Sequence, residues 1–289
     1  MIDRKMLFAS ALAGAALLST PAGAAAILAT FDVSGLGLEG DGTGSAIAPN
    51  GDIVLTAFLS SNNTQSLIVQ VTSDFSAVVD SDLVDLNGVH GITFLPNGNA
   101  LLSNSETGAA SGLYEYDLAT DAIVAAGVRL VTDPPAGDAD GVAIEPGTGN
   151  FWIADDTDEA IYEFDAAGVL QSTIFTAQLQ PTPDTAIDEP EGITFDPLTG
   201  NIFFADDSAG TRRIYEITTA GVVVQDFALS GADDPSGLEF DPVNRVLWVI
   251  DNNNEVVLRV DPFAVPAPGP LALLGAGLIG LGLARRRSA

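Results

Sequence analysis

The chain has 289 residues, with 39 acidic side chains against 10 basic ones and a formal net charge of −29. An apolar content of 47% excludes a disordered chain, and the acid excess excludes nucleic acid or an anionic membrane surface as a partner, since both require a basic face. The absence of cysteine and the single histidine, His90, exclude disulfides, thiolate metal sites, cysteine nucleophiles and multi-histidine metal centres.

Residues 1–26 read as a secretory signal. Arg4 and Lys5 give the positive start, Met6 to Leu18 the apolar stretch, and Ala22-Gly23-Ala24 the small-residue cleavage pattern. A short strand is expected at Thr30–Gly35. The middle of the chain, 27–264, then repeats itself. Gly91-Ile-Thr-Phe-Leu-Pro-Asn-Gly, Gly141-Val-Ala-Ile-Glu-Pro-Gly-Thr-Gly, Gly192-Ile-Thr-Phe-Asp-Pro-Leu-Thr-Gly and Gly237-Leu-Glu-Phe-Asp-Pro-Val-Asn-Arg read alike, with a weaker copy at Gly44-Ser-Ala-Ile-Ala-Pro-Asn-Gly. Successive leading glycines are 47, 50, 51 and 45 residues apart.

Each unit opens with a short apolar strand and a Pro/Gly/Asn turn. A second strand follows, at Ile53–Ala57, Ala100–Asn104, Phe151–Asp155, Ile202–Asp206 and Leu247–Asp251. A third alternates apolar and polar residues, as in Ile161–Asp165, Ile214–Ile217 and Val257–Val260, and a fourth is looser, as in Gly221–Leu229. Four antiparallel strands per unit of about 45 residues predict the blades of a β-propeller, and the count is five. A β-sandwich would leave the turn at fixed offset unexplained. The fifth unit stops after three strands, at Asp261. Thr30–Gly35 matches Asp226–Gly231, the fourth strand of the preceding unit, so the N-terminal strand is expected to complete the last blade, with Phe31 and Val33 beside Val257–Val260, and to close the ring.

The run from Gly141 to Asp165, and Gly192 to Ile217 with it, resembles the repeats of NHL and YWTD propellers. The resemblance covers most of 36–262. It implies an extracellular binding scaffold, or a hydrolase or lactonase as in the related gluconolactonase-type propellers. Those families usually have six blades rather than five.

Two positions recur around the ring. Thr43, His90, Asp140, Glu191 and Ser236 precede the leading glycines and are expected to converge at one mouth of the central channel. Ala57, Asn104, Asp155, Asp206 and Asp251 end the second strands. Oxygen ligands among them, Asp140, Glu191, Asn104, Asp155 and Asp206, suit a hard cation such as Ca²⁺, and the gluconolactonase-type resemblance implies a metal near this end. The other reading of Asp155, Asp206 and Asp251 is structural, each fixing a turn or a neighbouring blade. Acidic groups at Asp80, Asp82 and Asp85, at Asp133 and Asp138, at Asp184, Asp188 and Glu189, and at Asp233-Asp234 are read as loops on the same rim, where they would raise the local cation concentration. No EF-hand spacing, phosphate-cradling glycine loop or nucleophile elbow is present.

At the C-terminus, Val265-Pro266-Ala267-Pro268-Gly269-Pro270 is a stiff proline segment. An uncharged apolar run, Leu271 to Ala284, and Arg285-Arg286-Arg287 follow it. The order closely resembles the PEP-CTERM sorting signal of Gram-negative bacteria, with Ala267 where the family's motif has Glu. That resemblance implies a short transmembrane helix, a transient inner-membrane anchor, and removal by an exosortase on the way to the cell surface or matrix. Without both signals, 38 acidic residues face Arg129, Arg212, Arg213, Arg245 and Arg259 alone, a net charge of −33. The function expected is an exported binding scaffold for a glycan or surface protein, with calcium. The alternative is a metal-dependent hydrolase, a lactonase or phosphoesterase, acting from the channel mouth.

Overall fold

The computed structural model describes residues 25–38, 40–59, 64–105, 112–124, 139–179, 187–208 and 212–264. Residues 1–24 of the N-terminal signal, the whole C-terminal signal with Val265, Pro266, Pro268, Arg285, Arg286 and Arg287, and Asp133, Asp138 and Asp184 lie outside the described residues. Among those described, no helix is long and apolar enough to cross a membrane, and the run 271–284 was not among them.

Twenty strands form five four-stranded antiparallel sheets among the described residues. The first blade is β2 (Gly40–Ile47), β3 (Ile53–Leu59), β4 (Ser66–Val71) and β5 (Val78–Val84). The second is β6 (Val89–Phe94), β7 (Ala100–Asn104), β8 (Gly112–Asp117) and β9 (Ala122–Ile123). The third is β10 (Val142–Ile144), β11 (Phe151–Asp155), β12 (Ala160–Phe164) and β13 (Leu170–Phe175). The fourth is β14 (Pro190–Asp196), β15 (Asn201–Asp206), β16 (Arg213–Ile217) and β17 (Val223–Ala228). The fifth is β18 (Pro235–Asp241), β19 (Val246–Asp251) and β20 (Val256–Asp261), completed by β1 (Ala26–Asp32). The blade number is thus five.

The inner strands β2, β6, β10, β14 and β18 contact one another in that order around the axis, and β18 returns to β2. The leading glycines set how closely they approach. A Cβ on Gly91 would stand 2.5 Å from the Asp140 carbonyl oxygen, and one on Gly44 2.8 Å from that of His90. Gly141 and Gly192 meet the carbonyls of Glu191 and Ser236 more closely still. Only glycine lets one inner strand pack on the backbone of the next at this distance.

The second strands are buried on both faces, which is why they read as continuous apolar runs: β7, β11 and β19 bury every residue. Their side chains fill the wedges between blades. Trp152 of the third blade packs with Phe195, Phe204 and Tyr215 of the fourth. Trp248 and Ile250 of the fifth pack with Ile53, Leu55 and Val69 of the first. Each such large side chain contributes about 1.5–3 kcal/mol of burial.

Ring closure follows the expected scheme with a shifted register. Phe31 pairs with Val257 and Thr30 with Leu258, but the strand starts at Ala26, opposite Asp261, inside the stretch assigned to the signal. It ends at Asp32, one residue short of Val33, because the Asp32 carboxylate accepts hydrogen bonds from the Ser34 N–H and hydroxyl and turns the chain. Val33 still donates its N–H to the Glu255 carbonyl. Phe31 stacks on Phe75 of the first blade at 4.5 Å and lies 5.7 Å from Trp248, locking the seam.

The acidic segment Asp80–Asp82 is not a loop. It lies within β5, the outer strand of the first blade, where one face is open to water. Charges on such an edge also discourage pairing with another chain.

Candidate functional site

Antiparallel pairing puts the turns between second and third strands, and those leading into each inner strand, on one face of the disc. The residues before the leading glycines therefore gather there. His90 lies in β6, Asp140 just before β10, Glu191 in β14 and Ser236 in β18. Thr43 lies in β2, and its side chain is outside the described part. The glycine contacts show that the backbones at His90, Asp140, Glu191 and Ser236 follow one another around the axis.

His90 Nδ1 lies 2.9 Å from Asp140 Oδ1, with the histidine 26% exposed and the aspartate 9%. Asp140 Oδ2 accepts the Asp156 N–H at 3.2 Å. The Asp140 carbonyl accepts the Ser103 hydroxyl at 2.5 Å, so both ends of this residue are fixed. Next in the ring, Glu191 meets Asp207 and Asp234, the three carboxylates offering oxygens that all lie within 4.8 Å of one another. Burial, followed by the charges of Asp140, Asp234, Asp207 and Asp156, holds the Glu191 carboxyl well above the usual carboxylate range. Burial and then Asp234 push Asp207 up to about 7, against the opposing effect of Arg212. Arg212 reaches Asp207 at 3.5 Å and also pairs with Asp233 on the rim.

The second recurring set is used differently. Asp155 is fully buried, and its Oδ1 accepts the Asp158 N–H at 2.8 Å, tying the β11–β12 turn. Asp206, also fully buried, accepts the Glu189 N–H at 3.2 Å and the Ser208 hydroxyl. Asp251 accepts the N–H groups of Asp233 and Asp234 and the Asn254 amide. Asn104 ends β7 fully buried. Asn104, Asp155 and Asp206 are not members of the carboxylate cluster. Asp206 and Asp251 brace the loops that carry it: Asp206 holds Glu189, two residues before Glu191, and Asp251 holds Asp234.

Asp207, which the sequence does not single out, belongs to this cluster, and so does Asp234, expected only on the rim. The signal for Asp207 is the doublet Asp206-Asp207, echoed by Asp155-Asp156. The first acid of each doublet is buried against its own loop, and the next residue, past the strand end, is half-exposed at the mouth. A second acidic group, Asp80, Asp82 and Asp121, lies on the outer side between the first two blades, away from the channel.

No protein-family model matches the sequence, and neither does any curated protein. The structure is similar to glutaminyl cyclase of Myxococcus xanthus, with a TM-score of 0.61 over 83% of this chain and 97% of that one, at 11% identity. Weaker likenesses include virginiamycin B lyase of Staphylococcus aureus, with a TM-score of 0.46 and 15% identity over 76% of this chain and 65% of that one. A nidogen–laminin complex gives 0.48 and 15% over 65% and 67%. The first likeness is one of fold, a β-propeller, in which both enzymes and binding proteins are built.

Proposed function

We propose that the protein is an exported scaffold that binds a divalent cation of the calcium class at the acidic mouth of its propeller. The observation that carries this reading is the meeting of Glu191, Asp207 and Asp234 oxygens within 4.8 Å, on a face open to solvent. Three carboxylates this close repel one another unless a proton or a cation stands between them. The donor set is oxygen alone, which suits a hard cation. A cation held there would keep positions for ligands from outside, such as the hydroxyls of a glycan or a carboxylate of a surface protein. In the same reading the blades are of the NHL or YWTD kind. Residues 1–26 address the chain to the Sec machinery, and 265–289 to an exosortase at the inner membrane of a Gram-negative cell, ending at the surface or matrix.

Thermal unfolding in calcium tests the site. A ligand that binds only the folded state adds about 2.7 kcal/mol at a hundredfold excess over its Kd. Calcium is expected to raise the Tm of wild type beyond magnesium or sodium at matched ionic strength, and the excess is expected to vanish in Glu191→Gln with Asp207→Asn. A calcium effect equal to the controls, or unchanged in the double variant, refutes the reading.

A second reading, a metal-dependent lactonase or phosphoesterase, is favoured by one observation: the His90–Asp140 pair one blade from the carboxylates. A bound cation would supply Lewis-acid activation of water. His90, its Nδ1 held by Asp140, would move a proton at Nε2. Cation-dependent hydrolysis of a γ-lactone or an aryl phosphate, lost in His90→Gln, would support it. Its absence in wild type leaves the scaffold reading.

A further inference from the structure

The opposite face of the disc carries the turns between first and second strands and between third and fourth. In four blades one side chain braces that face from the third strand. Gln70 donates to Asp52 at 2.7 Å. Glu115 accepts from Asn97 and Asn99, each at 2.7 Å. Glu163 accepts from Asn150 at 2.7 Å and Glu216 from Asn201 at 2.6 Å. These are equivalent positions, since Gln70, Glu115, Glu163 and Glu216 pair with Val54, Leu101, Trp152 and Phe203, each the second residue of its apolar run.

The fifth blade breaks the scheme at both partners. The third-strand position is Arg259, opposite Trp248, and the residue before the second-strand run, where the others have Asp or Asn, is Val246. Arg259 therefore has no acceptor to brace against. It makes no ion pair or hydrogen bond among the described residues, whereas Arg212, Arg213 and Arg245 are all paired with aspartates. Its Nε is buried without a partner, and its guanidinium lies 5.7 Å from the Trp248 ring. The Trp248 Nε1, also buried, has no acceptor either.

Around these two side chains opens a cleft of about 840 Å³ between the fifth and first blades, also lined by Phe31, Pro49 and Val243. A volume of this size is that of a small-molecule site. We propose that this cleft binds a small organic carboxylate with a planar apolar body, the anionic group on Arg259 and the body against Trp248 and Phe31. An Arg guanidinium matches a carboxylate as a fork, and the ligand would supply the acceptor that Val246 does not.

The other charged groups of the cleft do not take this role. Asp74 is engaged by Thr72 and Ser76, and Asp241 by the N–H groups of Val243 and Asn244 and the Asn244 amide. Glu239, cross-strand from Trp248, accepts from Ile47 and Thr194, and burial raises its carboxyl to about 8.

The test is binding of phenylacetate to the full chain, read from the indole N–H signals of its two tryptophans in nitrogen-15 spectra. Phenylacetate is expected to move the Trp248 signal with a Kd of about 1 mM or tighter, and to leave that of Trp152 in place. Phenylacetamide and phenethylamine are expected to bind about tenfold more weakly or worse. Arg259→Gln should reduce phenylacetate to the level of the amide, while Arg259→Lys, which keeps the charge but not the fork, should bind more weakly than wild type and more tightly than Arg259→Gln. No shift with phenylacetate, an amide or amine that binds as well, or an Arg259→Gln protein that binds like wild type overturns the proposal. If that variant does not fold, the three probes on wild type decide alone.

Discussion

The two faces of the disc treat the repeat in opposite ways. On the face with the carboxylates, the backbone is constant, with glycine at each leading position, while the side chain before it changes in every blade: Thr43, His90, Asp140, Glu191, Ser236. On the other face the side-chain chemistry itself is repeated, at Gln70, Glu115, Glu163 and Glu216, and departs once, at Arg259. What recurs in every blade is scaffold. Chemistry is to be sought where one copy differs from its siblings.

That contrast can be broken most severely at the constant positions. Gly192→Val should leave no folded protein at ordinary temperature, because the new side chain meets the Ser236 carbonyl of the next blade, backbone that cannot move alone. The loss should exceed about 4 kcal/mol, measured by chemical denaturation or by recovery of soluble protein. Deleting residues 26–32 should come next. It removes the fourth strand of the fifth blade and leaves β20 an open edge, so the truncated protein should melt lower and aggregate; an unchanged melting curve would contradict the closure.

The carboxylate face should show itself through pH rather than through folding. Asp207 has its pKa raised from 3.8 to about 7 in the folded state, so the native protein holds a proton that the unfolded chain releases. Its contribution therefore favours folding at low pH and is lost as pH rises through that window, from about 4 to about 7. In chelator, Tm should fall across the window, and Asp207→Asn should flatten the fall. Glu159→Gln, which removes an equally charged but exposed group, should not. The smallest effect belongs to the braces on the other face. Asn201→Ala removes one half-buried hydrogen bond to Glu216 and should cost about 1 kcal/mol with function intact.

The ring was legible because its signals are local and repeated. The leading glycine, the Pro/Gly turn and the apolar second strand each report a constraint of one blade, and five copies make the period plain. The carboxylate cluster was only half legible. Glu191 stands at the repeat position, so its place at the mouth follows from symmetry, whereas Asp140 at the same position of the neighbouring blade pairs with His90 and is not one of the three. Asp207 and Asp234 come from loops, and which of two adjacent acids faces the mouth depends on which one ties the loop: Asp206 bonds the Glu189 N–H and leaves Asp207 forward. Asp80 and Asp82 misled for a different reason. Acid-rich sequence resembles a loop, yet an outer strand tolerates it, since one face there is water. The cleft at Arg259 needed the structure, because the missing brace is seen only when Gln70, Glu115, Glu163 and Glu216 are found bonded.

The pairing of β1 with β20 also has a consequence in time. Phe31 and Val257 are neighbours in one sheet, yet more than 220 residues separate them along the chain. Contacts of such long range form slowly, because the loop entropy is lost before the contact rewards it. While the chain is being made, its first strand has no partner until the last blade has emerged. Through that interval the strand must stay unpaired, either kept extended or guarded by another protein. The exposed side chains Ile27 and Leu28 mark it as the segment where premature pairing between two growing chains would begin.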